Sequence, residues 1–272
     1  MNRRRVLIKY GGNAMINENL KEKIANQIKA LQLEQIQVVL VHGGGPFINQ
    51  ALKEAGIASE FFEGQRRTTN EALHVIEKTL KGEVNASLVN VFNQAGVPAV
   101  GLSGKDGSIV LAEKKQLLSQ NESSPPVDLG QVGEVKTVHT KLLHLLLNAG
   151  YLPVLTCIAS DLQGNDYNIN ADEFAGKIAA ALKVDDYLVL TDVDGLYSDY
   201  PDPASKIHQL TLSQLPLHHE SIITGGMIPK IQSCEVAIGE GVRRAVILNG
   251  TQPDQISQYI RKDNMIGTVI TK

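Results

Sequence analysis

The chain has 272 residues, 43% of them hydrophobic and 20% charged, with no tryptophan. That composition excludes a disordered, collagen-like or coiled-coil protein, and the length allows one large domain or two small ones. Lys and Arg total 26 against 29 Asp and Glu, a net charge of −3, so no broad positive field exists to hold a nucleic-acid backbone.

The basic start Arg3-Arg4-Arg5 leads only into the short apolar run Val6-Leu7-Ile8, whereas a signal-peptide core needs about 7–15 apolar residues. Nothing further on approaches the roughly 18 needed to cross a bilayer. The expectation is a soluble, cytoplasmic chain with no membrane partner. Cys157 and Cys234 form no CxxC pair and are expected as reduced, buried, small hydrophobes.

Val6 to Ile8 predicts a strand, stopped by Gly11-Gly12. Residues 18–33 carry Leu20, Ile24, Ile28 and Leu31 at helical spacing. Val38 to Val41 is a β-branched run too short for a helix. After Gly43-Gly44-Gly45 a helix is expected through Phe47, Ile48, Ala51, Leu52 and Ala55. Residues 71–95 predict one helix and Pro98 to Leu102 a strand. Ser108 to Ala112 is expected to be half of a hairpin after Asp106-Gly107, and residues 114–130 a polar loop. His139 to Ala149 predicts a helix, Leu152 to Thr156 a strand, Asp172 to Leu182 a helix and Tyr187 to Leu190 a strand. A helix over 228–239, a strand over Ala245 to Leu248 and a short strand near Gly267 to Ile270 close the chain. Short apolar strands alternating with amphipathic helices predict a parallel sheet covered on both faces. No internal repeat is present.

Six segments could carry chemistry. Lys9-Tyr10-Gly11-Gly12 follows a buried strand, where open α/β sheets bind ligands; Lys9 is either an anion partner or a solvated residue at a turn. His42-Gly43-Gly44-Gly45-Pro46 also follows a strand and opens a helix, which suits a phosphate cradle. It matches neither the Rossmann nor the Walker A fingerprint. His42 is a candidate base or a hydrogen-bonded strand-end residue. Arg66 and Arg67 precede the helix at 71 and either grip a carboxylate or form a solvated turn. Asn168 and Asn170 share a face, and Asp172 stands at a helix start, as a cap or as a functional carboxylate. Thr191-Asp192-Val193-Asp194-Gly195 either faces a ribose or a metal or simply forms a turn. Lys230 lies in the first turn of a helix after Gly225-Gly226, an unfavourable place for a cation unless it faces an anion.

As an ordered set these segments resemble the amino acid kinase family. The carrying stretches are KYGG, VHGGGP, GQRRT, KGEVN, AVGLSGKDG, GQVGEV, GYLPVL, NINAD, LTDVDGL and GGMIPK. The resemblance spans nearly the whole chain and is strongest to members whose acceptor is N-acetyl-L-glutamate. It implies an α/β fold, an open and mainly parallel αβα sandwich in one domain over 1–272. An N-terminal lobe over about 1–184 would bind the acceptor and dimerise, and a C-terminal lobe over about 185–272 would bind nucleotide.

The implied activity is ATP-dependent phosphorylation of the acceptor's γ-carboxylate to N-acetyl-L-glutamyl 5-phosphate, within arginine biosynthesis. The implied roles are Lys9 and Lys230 on the phosphoryl group, Asp172 orienting both, and Gly11, Gly12, Gly45, Thr191 and Asp192 on the nucleotide. Gly44, Arg66, Asn168 and Asn170 would hold the acceptor. Mg²⁺ would come with the nucleotide and the protein would supply no metal site of its own. A homodimer of the arginine-insensitive type is implied, since no extra N-terminal helix precedes Arg3. The alternatives are a kinase for N-succinylglutamate or carrier-bound aminoadipate, or a catalytically silent nucleotide or amino-acid sensor on the same fold. Two features differ from the pattern. Arg67 stands where the family often has a hydrophobic residue, and TDVDGLYSDYPDP is similar to the uridylate and glutamate-5 kinase version of its segment.

Overall fold

Strands and helices alternate along the chain in the computed structural model, which describes residues 3–62, 64–116, 127–218, 222–261 and 266–272. The first half holds β1 (Arg5–Tyr10), α1 (Glu18–Leu33), β2 (Gln37–His42), α2 (Gly45–Glu54), β3 (Phe61–Phe62), β4 (Gln65–Arg66), α3 (Asn70–Glu77), α4 (Ala86–Gln94), β5 (Ala99–Ser103) and β6 (Val110–Lys114). Then come β7 (Val132–Val138), α5 (Lys141–Asn148), β8 (Leu152–Thr156), β9 (Ile158–Ser160), β10 (Asp166–Ile169), α6 (Ala171–Leu182) and β11 (Asp186–Thr191). The chain continues through β12 (Leu196–Tyr197), β13 (Lys206–Ile207), β14 (Gln209–Thr211), α7 (Met227–Gly239), β15 (Arg244–Asn249), α8 (Gln255–Ile260) and β16 (Thr268–Thr271).

One eight-stranded sheet, ordered β14-β16-β15-β11-β1-β2-β8-β5, forms the centre. The six strands from β15 to β5 are parallel to their neighbours, and β16 runs antiparallel to β15. Strand residues alternate between faces, and the two halves of the core follow that alternation. Leu7, Val39, Val41, Val189 and Ile247 pack with Ile48, Leu52, Ile76, Leu80, Phe174, Ile178 and Ile231, from α2, α3, the segment after α3, α6 and α7. Val6, Ile8, Val38, Leu40, Leu188 and Leu248 pack on the other side with Ile24, Ile28, Leu31, Leu88, Phe92 and Ile256, from α1, α4 and α8. This is the expected αβα sandwich. Each fully buried Leu, Ile or Phe contributes about 1.5–3 kcal/mol relative to exposure.

Two local features differ from the sequence reading. The helix expected over 71–95 is continuous, but Lys78–Asn85 between α3 and α4 winds as a π-helix. Strand β6 is not paired across the Asp106-Gly107 turn, because β5 belongs to the central sheet. Instead β6 pairs antiparallel with β7. The turn is tied back by the Asp106 carboxylate, which accepts from the Ser103 N–H and hydroxyl and from Lys81. The loop expected over 114–130 falls largely on 117–126, outside the described residues. Strands β6, β7, β9 and β10 close into a small barrel beside the main sheet. That barrel delivers the chain to α6. The two cysteines are free and buried, as expected.

Candidate active site

All six parallel strands end at one edge of the sheet, where open α/β folds place ligands. Lys9 is the fifth residue of β1 and lies on the same face as Leu7, the face that α6 and α7 cover. Alternation therefore aims Lys9 at the start of α6. The two helices lie close together: a Cβ on Gly176 of α6 would come 2.7 Å from the Ser233 carbonyl oxygen of α7. Only glycine allows that approach, and it brings the first turn of α7 beside the first turn of α6.

Lys9 Nζ lies 2.9 Å from Asp172 Oδ1 and Lys230 Nζ 3.3 Å from Asp172 Oδ2, so one carboxylate holds two ammonium groups. Lys9 and Asp172 are each 5% exposed. Burial alone would raise the Asp172 carboxyl, but the charges of Lys9 and Lys230 outweigh it and hold the group below its usual range. The Lys230 ammonium is pushed down, first by burial and then by the like charge of Lys9. Lys230 also donates to Gly226 O at 3.3 Å. The net charge of the triad is positive, and an anion between the two ammoniums would relieve it.

The cap on α6 is Asn170 rather than Asp172. Its Oδ1 accepts from the N–H groups of Asp172 and Glu173 at 2.9 and 3.3 Å. Asp172 stands in the first turn, where a carboxylate gains from the helix dipole. This corrects the capping alternative for Asp172, and it gives Asn170 a structural task beside its expected acceptor contact.

A cleft of about 350 Å³ opens at the same edge. Lys9, Gly11, Gly12, Gly44, Gly45, Arg66, Asn168, Asn170 and Asp172 all line it, so nine of the expected site residues share one space. Gly44 has an ordinary extended backbone, but a Cβ there would sit 2.5 Å from Leu80 Cδ2, so any larger residue displaces that side chain. Arg66, on the β3–β4 hairpin, stacks its guanidinium 4.5 Å above the Phe61 ring and donates to Asn49 Oδ1 and Ser59 Oγ. Burial lowers its pKa from the ordinary value. The fork is thus fixed in place at the cleft wall. Asn168 on β10 donates to Thr68 Oγ1 at 3.4 Å.

Thr191, Asp192 and Lys230 are not among the cleft's lining residues; Lys230 reaches the site only through its ion pair with Asp172. Thr191 ends β11 and Asp192 follows it, with the Asp192 carboxylate against Gly12. Arg67 pairs with Glu60 at 3.0 Å on the exposed outer side of the hairpin, so this departure from the family pattern leaves the cleft unchanged. The sequence reading missed Asn49, Ser59 and Phe61 as the frame of Arg66, Leu80 as the partner of Gly44, and Cys157 as a lining residue. Burial pushes the Cys157 thiol up to about 12. Among the described residues no group of three or more His, Cys, Asp or Glu is placed to hold a metal ion, and no helix is long and apolar enough to cross a membrane.

An open parallel sheet with two lysines, glycine turns and a fixed arginine at its carboxyl edge has the chemistry suited to phosphate and carboxylate anions. Residues 4–249 match the amino acid kinase family, and the chain belongs to it. Two relatives are named acetylglutamate kinase. The one from Methanococcus maripaludis is 42% identical over 98% of this chain and 92% of its own length. The one from Lawsonia intracellularis is 44% identical over 98% of this chain and 90% of its own. Among solved structures, an N-acetylglutamate synthase from Neisseria gonorrhoeae superposes with a TM-score of 0.83 at 22% identity, over 99% of this chain. This chain spans 59% of that synthase, and the likeness is one of fold.

Proposed function

We propose that this protein transfers the γ-phosphoryl group of ATP to the γ-carboxylate of N-acetyl-L-glutamate, the acceptor in the relatives' name. The product is N-acetyl-L-glutamyl 5-phosphate, within arginine biosynthesis. The observation that carries the reading is the pair of ammonium groups held by Asp172, of which Lys9 lines the cleft and Lys230 meets the carboxylate from α7. Phosphoryl transfer asks for positioning and positive charge more than for covalent help. The acceptor carboxylate, with an ordinary pKa of about 4.3, is already ionised and needs no general base.

In this proposal Arg66 grips the acceptor's α-carboxylate and Asn168 and Asn170 bind its acylamino group. Gly44 offers a backbone N–H to the acceptor. Gly11, Gly12 and Gly45 do the same for the phosphates, and Thr191 and Asp192 flank the nucleotide. Lys9 and Lys230 offset the repulsion between two anions that approach in line. Asp172 holds both ammoniums aimed inward. Mg²⁺ accompanies the nucleotide, where it adds positive charge to the phosphates. The N-terminal lobe, to about residue 184, takes the acceptor and the C-terminal lobe takes ATP. A cytoplasmic homodimer completes the reading and rests on the family resemblance.

The test is ADP release, measured by a coupled assay, with N-acetylglutamate, N-succinylglutamate and carrier-bound aminoadipate as acceptors. Preferred turnover of N-acetylglutamate is the expected result. Preference for another acceptor, or no acceptor-dependent turnover, counts against the reading.

A further inference from the structure

The buried side of the glycine loop carries a polar relay that the reaction above does not use. His42 ends β2 with no exposed surface. Its Nδ1 lies 2.8 Å from Gly43 O, and its Nε2 lies 2.9 Å from Asn85 Nδ2. Asn85 Nδ2 also donates to Val154 O of β8 at 2.9 Å. A carbonyl only accepts, so His42 carries its proton on Nδ1, and Nε2 then accepts from the Asn85 amide. Burial, with a further push from the Lys81 charge, lowers the imidazole pKa to about 4 despite the bond to Gly43, so the ring is neutral.

Asn85 is the last residue of the π-helical stretch, and Leu80 of the same stretch fills the space beside Gly44. Two side chains of one helical irregularity therefore meet the loop, as often happens where a π-turn sits at a functional site. Gly43 and Gly44 share one planar trans peptide, so its C=O and N–H point to opposite sides. With glycine on both sides that unit can rotate at little steric cost. Fixing the carbonyl on the buried side fixes the Gly44 N–H on the other.

We infer that His42, kept as the Nδ1–H tautomer by Asn85, is a positioning residue that holds the Gly43 carbonyl so that the Gly44 N–H faces the reacting anions in the cleft. The inference rests on the phosphoryl-transfer reading. It adds a task for the π-helix: selecting a tautomer.

Two measurements test it. Nitrogen-15 NMR of the wild-type histidines reads the tautomer without turnover. The expected His42 signal is a neutral Nδ1–H ring that does not titrate across the neutral range; an Nε2–H ring or an imidazolium overturns the inference. The second compares His42→Asn, whose amide keeps a donor near Gly43 O, with His42→Gln, whose amide reaches only toward Asn85. His42→Gln is expected to lose about 10²-fold in kcat, the order of effect of a small misplacement. His42→Asn should stay roughly tenfold above it, about one hydrogen bond's worth. A purely structural role would lower both variants alike, and equal kcat values overturn the inference. A wild type without acceptor-dependent ADP release sinks the phosphoryl-transfer reading itself; an active wild type with the wrong tautomer sinks only this one.

Discussion

Asp172→Asn removes the carboxylate that both Lys9 and Lys230 contact and keeps its shape. The carboxylate is nearly buried and meets Nζ atoms at 2.9 and 3.3 Å. Removing one partner of such a buried pair costs about 3–5 kcal/mol. Lys230 keeps 17% of its side chain exposed and can swing outward or shed its proton, which favours the lower end, about 3 kcal/mol. For a chain of this size that corresponds to a Tm lower by about 6–12 °C, at about 2–4 °C per kcal/mol. The sign with pH follows from the depressed carboxyl of the folded state. Its stabilisation is present above the unfolded pKa and lost as pH falls through the folded one. Calorimetric melts of wild type and variant should therefore differ fully at neutral pH and converge only in acid, below the ordinary carboxylate range. Equal Tm values at neutral pH, or a gap that persists undiminished in acid, would refute the reasoning.

Other outcomes follow from the same geometry. Gly44→Ala drives a methyl group against Leu80, with an overpacking cost of about 1–3 kcal/mol in denaturant melts; the cost should shrink in a Leu80→Ala background, and additive effects would contradict the contact. Arg66→Lys loses the fork held by Asn49, Ser59 and Phe61. Acceptor KM should rise roughly tenfold, about 1.5 kcal/mol, with the KM for ATP unchanged; an unchanged acceptor KM would place Arg66 outside acceptor binding. Burial raises the thiol pKa of both Cys157 and Cys234, so neither should be alkylated in the native state at neutral pH, and both should react after unfolding. Mass spectrometry decides this.

Much of the fold is legible because apolar periodicity reports it directly. The runs Val6 to Ile8, Val38 to Val41 and Tyr187 to Leu190 are the centre of the sheet. The barrel was harder to read: β7, with Gly133, Glu134 and Lys136, has a mixed pattern because it pairs at the side of the main sheet rather than in its core. Helix α8 is too short for its period to show, and the π-turn leaves no mark on a spacing that otherwise reads as continuous helix. Lys9, Asp172 and Lys230 were visible as charges in unusual places. Their convergence was not, since Lys9 and Asp172 lie 163 positions apart and no local pattern encodes contact over that distance. The ordered motif set supplied it through resemblance. The roles of Asn49, Ser59 and Asn85 depend on neighbours that only the folded chain provides.

In the proposed reaction Lys9 and Lys230 act on one phosphoryl group. The most direct measurement is kcat for acceptor-dependent ADP release in Lys9→Ala and in Lys230→Ala at saturating substrates. Each single variant should fall by about 10²–10³-fold, equivalent to about 2.7–4 kcal/mol of barrier. Retention of wild-type kcat by either variant would contradict the account.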